Sequence, residues 1–268
     1  MKDVHNYVDK RGIGVTESGI TNLRLLFHLR SGIGKQTIIA NTEMSVSLPP
    51  KRKGVHMSRF VEVSQTIRGS VLSNNFLEST VKKIKNNLGS SYAKIKLSFT
   101  CFLTKKTPVS ELECQTDYFC EVICEINEKE ITHCLKVEIP ITTLCPCSKE
   151  IGVTGAAHNQ RAKIILTVLS KEFTGIENFI KTIEKGVCGE IYSLLKRPDE
   201  KFVIDRIYKN PMFAEDVVRQ TALSLKRDKR IFDYEIVCKS YESIHNHNVF
   251  AVVRGGKNIR ICNKHYRK

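Results

Sequence analysis

Two thiols separated by one proline, in Leu144-Cys145-Pro146-Cys147-Ser148-Lys149-Glu150-Ile151, stand shortly ahead of a histidine and an arginine in Gly155-Ala156-Ala157-His158-Asn159-Gln160-Arg161. Thiolate and imidazole bind soft and borderline divalent metals, imidazole titrates near neutral pH, and guanidinium grips anions. One short segment therefore holds the parts of a catalytic centre. The same residues also suit a plainer role, because cysteine often packs as a small apolar side chain and a histidine can cap a turn. On spacing alone neither account prevails.

Four further segments carry groups able to serve such a centre. Lys196-Arg197-Pro198-Asp199-Glu200-Lys201 offers two adjacent carboxylates, although acids at a helix start are also favoured by the helix dipole alone. Asn210-Pro211-Met212-Phe213-Ala214-Glu215-Asp216 offers another such pair. A carboxylate can accept two neighbouring N–H groups from a planar base. His245 and His247, in Glu242-Ser243-Ile244-His245-Asn246-His247, are candidate proton carriers. Lys51-Arg52-Lys53 precedes Gly54-Val55-His56-Met57-Ser58-Arg59-Phe60, where a helix start with basic neighbours suits phosphate and a solvated basic turn explains the charges equally well. No G-x-x-x-x-G-K-[ST] loop is present, which argues against a P-loop NTPase.

The elements that must position these residues are legible from periodicity. Strands are expected over 21–30 and 37–48 around a turn at 31–35, with Met44, Val46 and Leu48 alternating against Glu43, Ser45 and Ser47. Helices follow at 58–67, with Ser58 as a candidate cap, and at 75–88, closing at Gly89. Strands are read at 93–103, 118–126 and 131–144; in the second, the even-numbered positions form an apolar face that takes Cys120 and Cys124 into packing. Beyond the Cys-Pro-Cys loop come a strand at 161–169, a long helix at 176–195, helices at 200–208 and 215–226, and strands at 232–239 and 249–253. The repeated order of strands and helices suggests a doubled α+β unit.

Hydrophobic residues make up 41% of the 268 and charged ones 26%, ordinary values for a globular chain able to bury a sizeable core. No apolar run approaches the roughly 20 residues of a membrane span, and the first residues lack the apolar stretch of a secretory signal. Ten cysteines scattered over so long a chain fit a reducing compartment, so the expected place is the cytoplasm. A net charge of +15 raises the question of nucleic acid. Acidic residues interrupt the basic ones, however, and neither tryptophan nor an RNA-binding aromatic signature is present.

The string Cys-Pro-Cys-Ser-Lys-Glu-Ile followed by Gly-x-x-His-Asn-Gln-Arg closely resembles the signature of the prokaryotic type IB GTP cyclohydrolases, and matching segments extend the resemblance from Val15 to about Ala251. The resemblance implies a tandem T-fold, with antiparallel sheets each covered by two helices. Its expected parts are a flexible arm over 1–14, a first T-fold unit over 15–144, a second over 145–256 that carries the active-site loop, and a basic tail over 257–268. It implies one divalent metal, Zn, Mn or Fe, on Cys145, His158 and Glu200, with Cys147 beside it as alternate ligand or catalytic thiol. Asp199 competes with Glu200, and only the family match favours the latter. Cys145, Cys147 and His245 are the implied catalytic residues, with His247 as the alternative proton carrier. Glu215 would hold the purine edge, Asp216 being its competitor, and His56 and Arg59 would bind substrate. The chain departs from the family pattern in one extra residue within Gly152-Val153-Thr154 and in Val55, where threonine is more usual.

The implied reaction converts GTP and water to 7,8-dihydroneopterin triphosphate and formate, the entry to tetrahydrofolate, in a homo-oligomer, a tetramer with sites at subunit junctions. Two alternatives accompany this reading. One is the archaeal-type relative that yields the cyclic phosphate of dihydroneopterin, and the other is a non-catalytic basic nucleic-acid-binding protein.

Overall fold

The computed structural model describes residues 4–31, 34–173 and 175–256, so the expected basic tail over 257–268 and part of the expected turn at 31–35 lie outside the described residues. The chain is a mixed α+β structure with antiparallel sheet and divides into two compact units built from interleaved stretches. The first takes the described residues up to Thr100 with Glu121–Cys134 and Lys171–Phe173; the second takes Cys101–Cys120, Leu135–Ser170 and the described residues from 175 onward.

In the first unit β1 (Val15–Ser31) and β2 (Gly34–Leu48) form a long antiparallel hairpin, with partners running from Val15↔Leu48 to Arg30↔Lys35. The alternation at Met44, Val46 and Leu48 is realised as one buried face. β2 pairs on its other side with β3 (Tyr92–Lys106), from Asn41↔Ser98 to Val46↔Ala93. Two amphipathic helices, α1 (Met57–Ile67) and α2 (Asn74–Leu88), pack on each other and bury Phe60, Val63 and Ile67 from the first and Leu77, Val81, Ile84 and Leu88 from the second. Ser73 caps α2 by accepting the Phe76 amide at 3.2 Å. Ser58 does not cap α1; the cap position falls on His56, whose side chain makes no capping bond. Backbone bonds from Asp9 to Lys51, Lys53 to Tyr7 and Gly54 to His5 fasten the N-terminal residues to the segment ahead of α1.

Besides β3, the strands β4 (Glu113–Asn127) and β5 (Glu130–Leu144) contribute residues to both units. Along β4, Tyr118, Cys120, Val122, Cys124 and Ile126 are all buried, as the even-numbered face requires. The nine described cysteines are free thiols.

The second unit continues from β5 through a six-residue helix α3 (Pro146–Ile151), a 3-10 turn at Val153–Gly155 and β6 (Asn159–Ser170). Then come α4 (Ile176–Gly186), a two-residue strand β7 (Gly189–Glu190), α5 (Arg197–Lys209), α6 (Ala214–Leu225), β8 (Ile231–Ser240) and β9 (Val249–Gly255). β8 lies antiparallel between β6 and β9, with Ala162↔Ser240 and Ser240↔Val249 at one end. Ile164, Leu166, Val168, Ile236 and Cys238 form the buried face, α6 packs on β8 and β9, and α4 packs on α6.

The long helix expected over 176–195 ends instead at Gly186, although Val187, Ile191 and Leu194 prolong its apolar spacing. Gly189 and Glu190 pair with Thr142 and Ile141 of β5, an arrangement that excludes helical continuation. A Cβ on Gly189 would stand 2.7 Å from both Ile207 and Thr142, so only glycine permits that approach. Charge locks the corner: Lys105 pairs with the buried Glu184, which also accepts the Tyr118 hydroxyl at 2.7 Å, and Arg206 reaches Glu190 at 3.1 Å. Among the described residues no helix is long and apolar enough to cross a membrane.

Candidate functional site

β5 delivers the chain to Cys145, and β6 begins one residue after His158. Cys145 is the N-cap of α3, Pro146 fills the first helical position, and the Ser148 amide donates to the Cys145 sulfur at 3.4 Å. The Cys145 amide donates to the His158 carbonyl at 3.2 Å, while the His158 amide donates to the Ser148 hydroxyl at 2.9 Å. Ser148 thus contacts both ends of the loop. Gly152 closes it tightly, since a Cβ there would fall 1.8 Å from the Ala156 carbonyl oxygen. Lys149 fixes α3 from outside by donating to the Tyr208 carbonyl at 2.7 Å with its ammonium 4.4 Å from that ring's centre. The Cys-Pro-Cys segment, read as loop from sequence, is therefore a short capped helix.

Cys145 and His158 line a cavity of about 240 Å³ together with Thr143, Gln160, Met212, Phe213, Glu215, Ser240, Glu242, His245 and His247. Residues from three distant parts of the sequence meet here. Glu215 stands in the first turn of α6. Its neighbour Asp216 is otherwise engaged, accepting the Phe213 amide at 3.1 Å and pairing with Arg219 at 3.1 Å. The two imidazoles of His245 and His247 stack with centroids 5.1 Å apart, and both face the cavity.

Glu200 and Cys147 are not among the residues lining this cavity. Cys147 is exposed in the first turn of α3, and Glu200 is exposed in the first turn of α5. Asp199, its competitor, is buried and structural: it accepts the amides of Val109 at 2.9 Å, Ser110 at 2.8 Å and Lys196 at 2.9 Å, and the Ser110 hydroxyl at 2.6 Å. Burial opposes its charge, yet the bonds from Ser110, Lys196 and Val109 outweigh burial and hold the carboxyl well below the usual range. His56 and Arg59 belong to the first unit. The His56 ring lies 4.5 Å from that of His5, and Arg59 donates to the Asn87 carbonyl at the end of α2 at 2.9 Å.

Among the described residues no three His, Cys, Asp or Glu side chains are grouped closely enough to hold a metal ion. In kind the donors fit one, because a thiol and an imidazole share the cavity wall with the carboxylates of Glu215 and Glu242.

Thr143, Gln160 and Glu242 are lining residues to which the sequence assigns no role. The hydroxyl of Thr143 is buried without a hydrogen-bond partner. Gln160 faces His158 at 3.1 Å, and Glu242 accepts the Ser240 hydroxyl at 2.9 Å. The available signal for Thr143 and Gln160 was their spacing, each two residues from Cys145 or His158 at the strand ends that flank the motif.

The profile of the family described as type I GTP cyclohydrolase folE2 matches residues 1–251. A GTP cyclohydrolase FolE2 of Pseudothermotoga lettingae is 40% identical over 258 residues, covering 96% of this chain and 99% of the relative. The FolE2 proteins of Magnetococcus marinus and Neisseria gonorrhoeae are 38% and 39% identical, covering 96% and 94% of this chain and 97% and 98% of their own lengths. Among solved structures, uricases of Arthrobacter globiformis and Bacillus fastidious superpose with TM-scores of 0.53 and 0.52 at 8% identity, each covering 90% of this chain and 93% of the uricase. At that identity the likeness shows the fold, the tunnelling or T-fold.

Proposed function

The chain belongs to the type I GTP cyclohydrolase folE2 family, and on that premise we propose that its cavity binds GTP by the guanine base and opens the imidazole ring. The products are 7,8-dihydroneopterin triphosphate and formate, the first step towards tetrahydrofolate. The observation that carries this reading is the backbone bond between Cys145 and His158 at 3.2 Å, which holds both on the wall of a cavity shared with Glu215 and His245.

Cys145 and His158 would hold a divalent metal, zinc, manganese or iron, with Glu200 of α5 as the third ligand. When bound, such an ion makes water nucleophilic near neutral pH. The Glu215 carboxylate accepts the adjacent ring and exocyclic N–H groups of guanine, which fixes the base in plane and excludes adenine, whose edge lacks that donor pair. His245 protonates a ring nitrogen as its bond to carbon breaks, and the stacked His247 holds the His245 ring against rotation. Cys147 serves as alternate ligand or thiol acid. His56 and Arg59, with Lys51 and Lys53 nearby in sequence, would take the triphosphate of a GTP held by a neighbouring subunit. We place the enzyme in the cytoplasm, a setting supported by nine free thiols among the described residues, and as the homotetramer that the family resemblance implies.

Family membership favours this reaction over the cyclic phosphate and nucleic-acid alternatives. The test is GTP turnover by metal-stripped protein, followed at the absorbance of the pterin and by product mass, as divalent metals are restored singly. Turnover that returns with metal in the wild type, but not in Cys145→Ala, supports the proposal. No turnover with any metal refutes it.

A further inference from the structure

A chain of hydrogen bonds runs from the end of β8 to the candidate ligand His158. The buried Ser240 hydroxyl donates to Glu242 Oε1 at 2.9 Å, Gln160 Nε2 reaches the same oxygen at 3.5 Å, and Gln160 Oε1 faces His158 Nδ1 at 3.1 Å. Donor and acceptor roles along this chain are forced from one end. An ionised carboxylate only accepts, so the amide group facing Glu242 must be NH2. The opposite face of the amide is then its carbonyl oxygen, which also only accepts, so the facing ring nitrogen, Nδ1, must carry the proton. The lone pair is left on Nε2. A reversed amide would set its oxygen against the carboxylate and its NH2 against the ring, and would demand the other tautomer.

From this geometry we infer that Gln160 is a positioning residue which, held by Glu242 and Ser240, locks His158 in the Nδ1–H tautomer and so selects Nε2 as its metal-binding atom. Imidazole ligands bind metal through a nitrogen whose identity is set by the hydrogen bond of the other, and such supporting groups orient the ring and raise its basicity. The inference rests on the reading of His158 as a ligand, but its first half, the tautomer, is a property of the metal-free protein.

Two measurements on the full-length chain test it. Nitrogen-15 NMR of histidine-labelled, metal-free protein at about pH 8, where an ordinary imidazole is neutral, reports which ring nitrogen of His158 is protonated. The expected result is Nδ1 in the wild type and a mixture of tautomers in Gln160→Leu. The second measurement is affinity for Co(II) and Zn(II) by chelator competition. Gln160→Leu should bind about 10–100-fold more weakly, the range found when a group supporting a metal ligand is removed. The double variant Gln160→Glu with Glu242→Gln exchanges amide and carboxylate, keeps an acceptor opposite the His158 Nδ1–H, and stays paired throughout once the Ser240 hydroxyl turns to accept the new amide NH2, so it should return to within about threefold of wild type.

An Nε2-protonated His158 in the wild type overturns the inference and needs no variant to fold. Gln160→Leu binding metal as tightly as wild type, while His158→Ala binds it weakly, overturns the inference and leaves the ligand assignment standing. His158→Ala binding as tightly as wild type removes the ligand assignment itself, and with it the selection of Nε2.

Discussion

Glu215→Gln tests the assignment of substrate class most directly, because Glu215 and Asp216 are adjacent carboxylates with different surroundings. Asp216 is engaged by the Phe213 amide and by Arg219, whereas Glu215 lines the cavity. If the Glu215 carboxylate accepts two N–H groups of guanine, glutamine keeps one acceptor and turns its NH2 towards the other donor. One charge-assisted bond is then lost and the other becomes neutral. Bonds to charged groups are worth about 1.5–3 kcal/mol each, and the exposure of Glu215 places them at the low end. The lost bond removes about 1.5 kcal/mol and the weakened one about 0.5, together about 2 kcal/mol, which at 1.36 kcal/mol per decade is about thirtyfold in kcat/KM for GTP. The assay is initial-rate formation of the pterin, with melting temperature as a control for folding. Asp216→Asn should do the opposite, lowering the melting temperature modestly through a weakened bond to the Phe213 amide and the lost pair with Arg219, while keeping kcat/KM within a few fold. The assignment fails if Glu215→Gln stays within about threefold of wild type, or if Asp216→Asn loses as much activity.

Removing bound metal with a chelator should abolish turnover and lower the melting temperature, since a ligand at a hundred times its Kd stabilises the folded state by about 2.7 kcal/mol; readdition to His158→Ala should restore neither. Thr143→Val removes a buried hydroxyl that has no partner and should leave the free protein as stable as wild type or more so, while raising KM about five- to tenfold if substrate supplies the missing partner. An unchanged KM together with lowered stability would show that the hydroxyl already has a partner within the fold. For Asp199 the carboxyl is held below its ordinary value, so the unfolded chain binds the proton more readily as pH falls. Its contribution is fully present above about pH 4 and is lost on acidification through the lowered folded-state pKa. Asp199→Asn should therefore lower the melting temperature at pH 7 and flatten the acid limb of the stability curve, and an unchanged acid limb would refute the account.

The sequence made legible whatever depends on local periodicity and failed where tertiary pairing overrides it. Met44, Val46 and Leu48 alternate because one face of β2 is buried, and α2 could be closed at Gly89 because a helix end needs a left-handed residue. Residues 187–194 misled because their apolar spacing continues that of α4, while β5 captures Gly189 and Glu190 as a strand. α3 has six residues, too few to show a period. The site was half legible. Its motif exposed Cys145 and His158, but the link from Gln160 to Glu242 spans 82 positions and follows only from the alignment of β6 with β8.

The pairing of β5 with β6 explains how the centre tolerates the extra residue in 152–154. Cys145 and His158 follow the last residue of one strand and precede the first of the next, with the Thr142 hydroxyl on the Gln160 carbonyl at 3.2 Å and the Cys145 amide on the His158 carbonyl at 3.2 Å. Their separation is set by those bonds and not by the length of chain between them. The intervening segment needs only to place Ser148 on His158 and Lys149 on Tyr208, both from within α3, before turning back at Gly152. A residue added beyond α3 therefore enlarges the exposed turn bearing Val153, which is 82% exposed, and leaves the two candidate ligands where the strands put them.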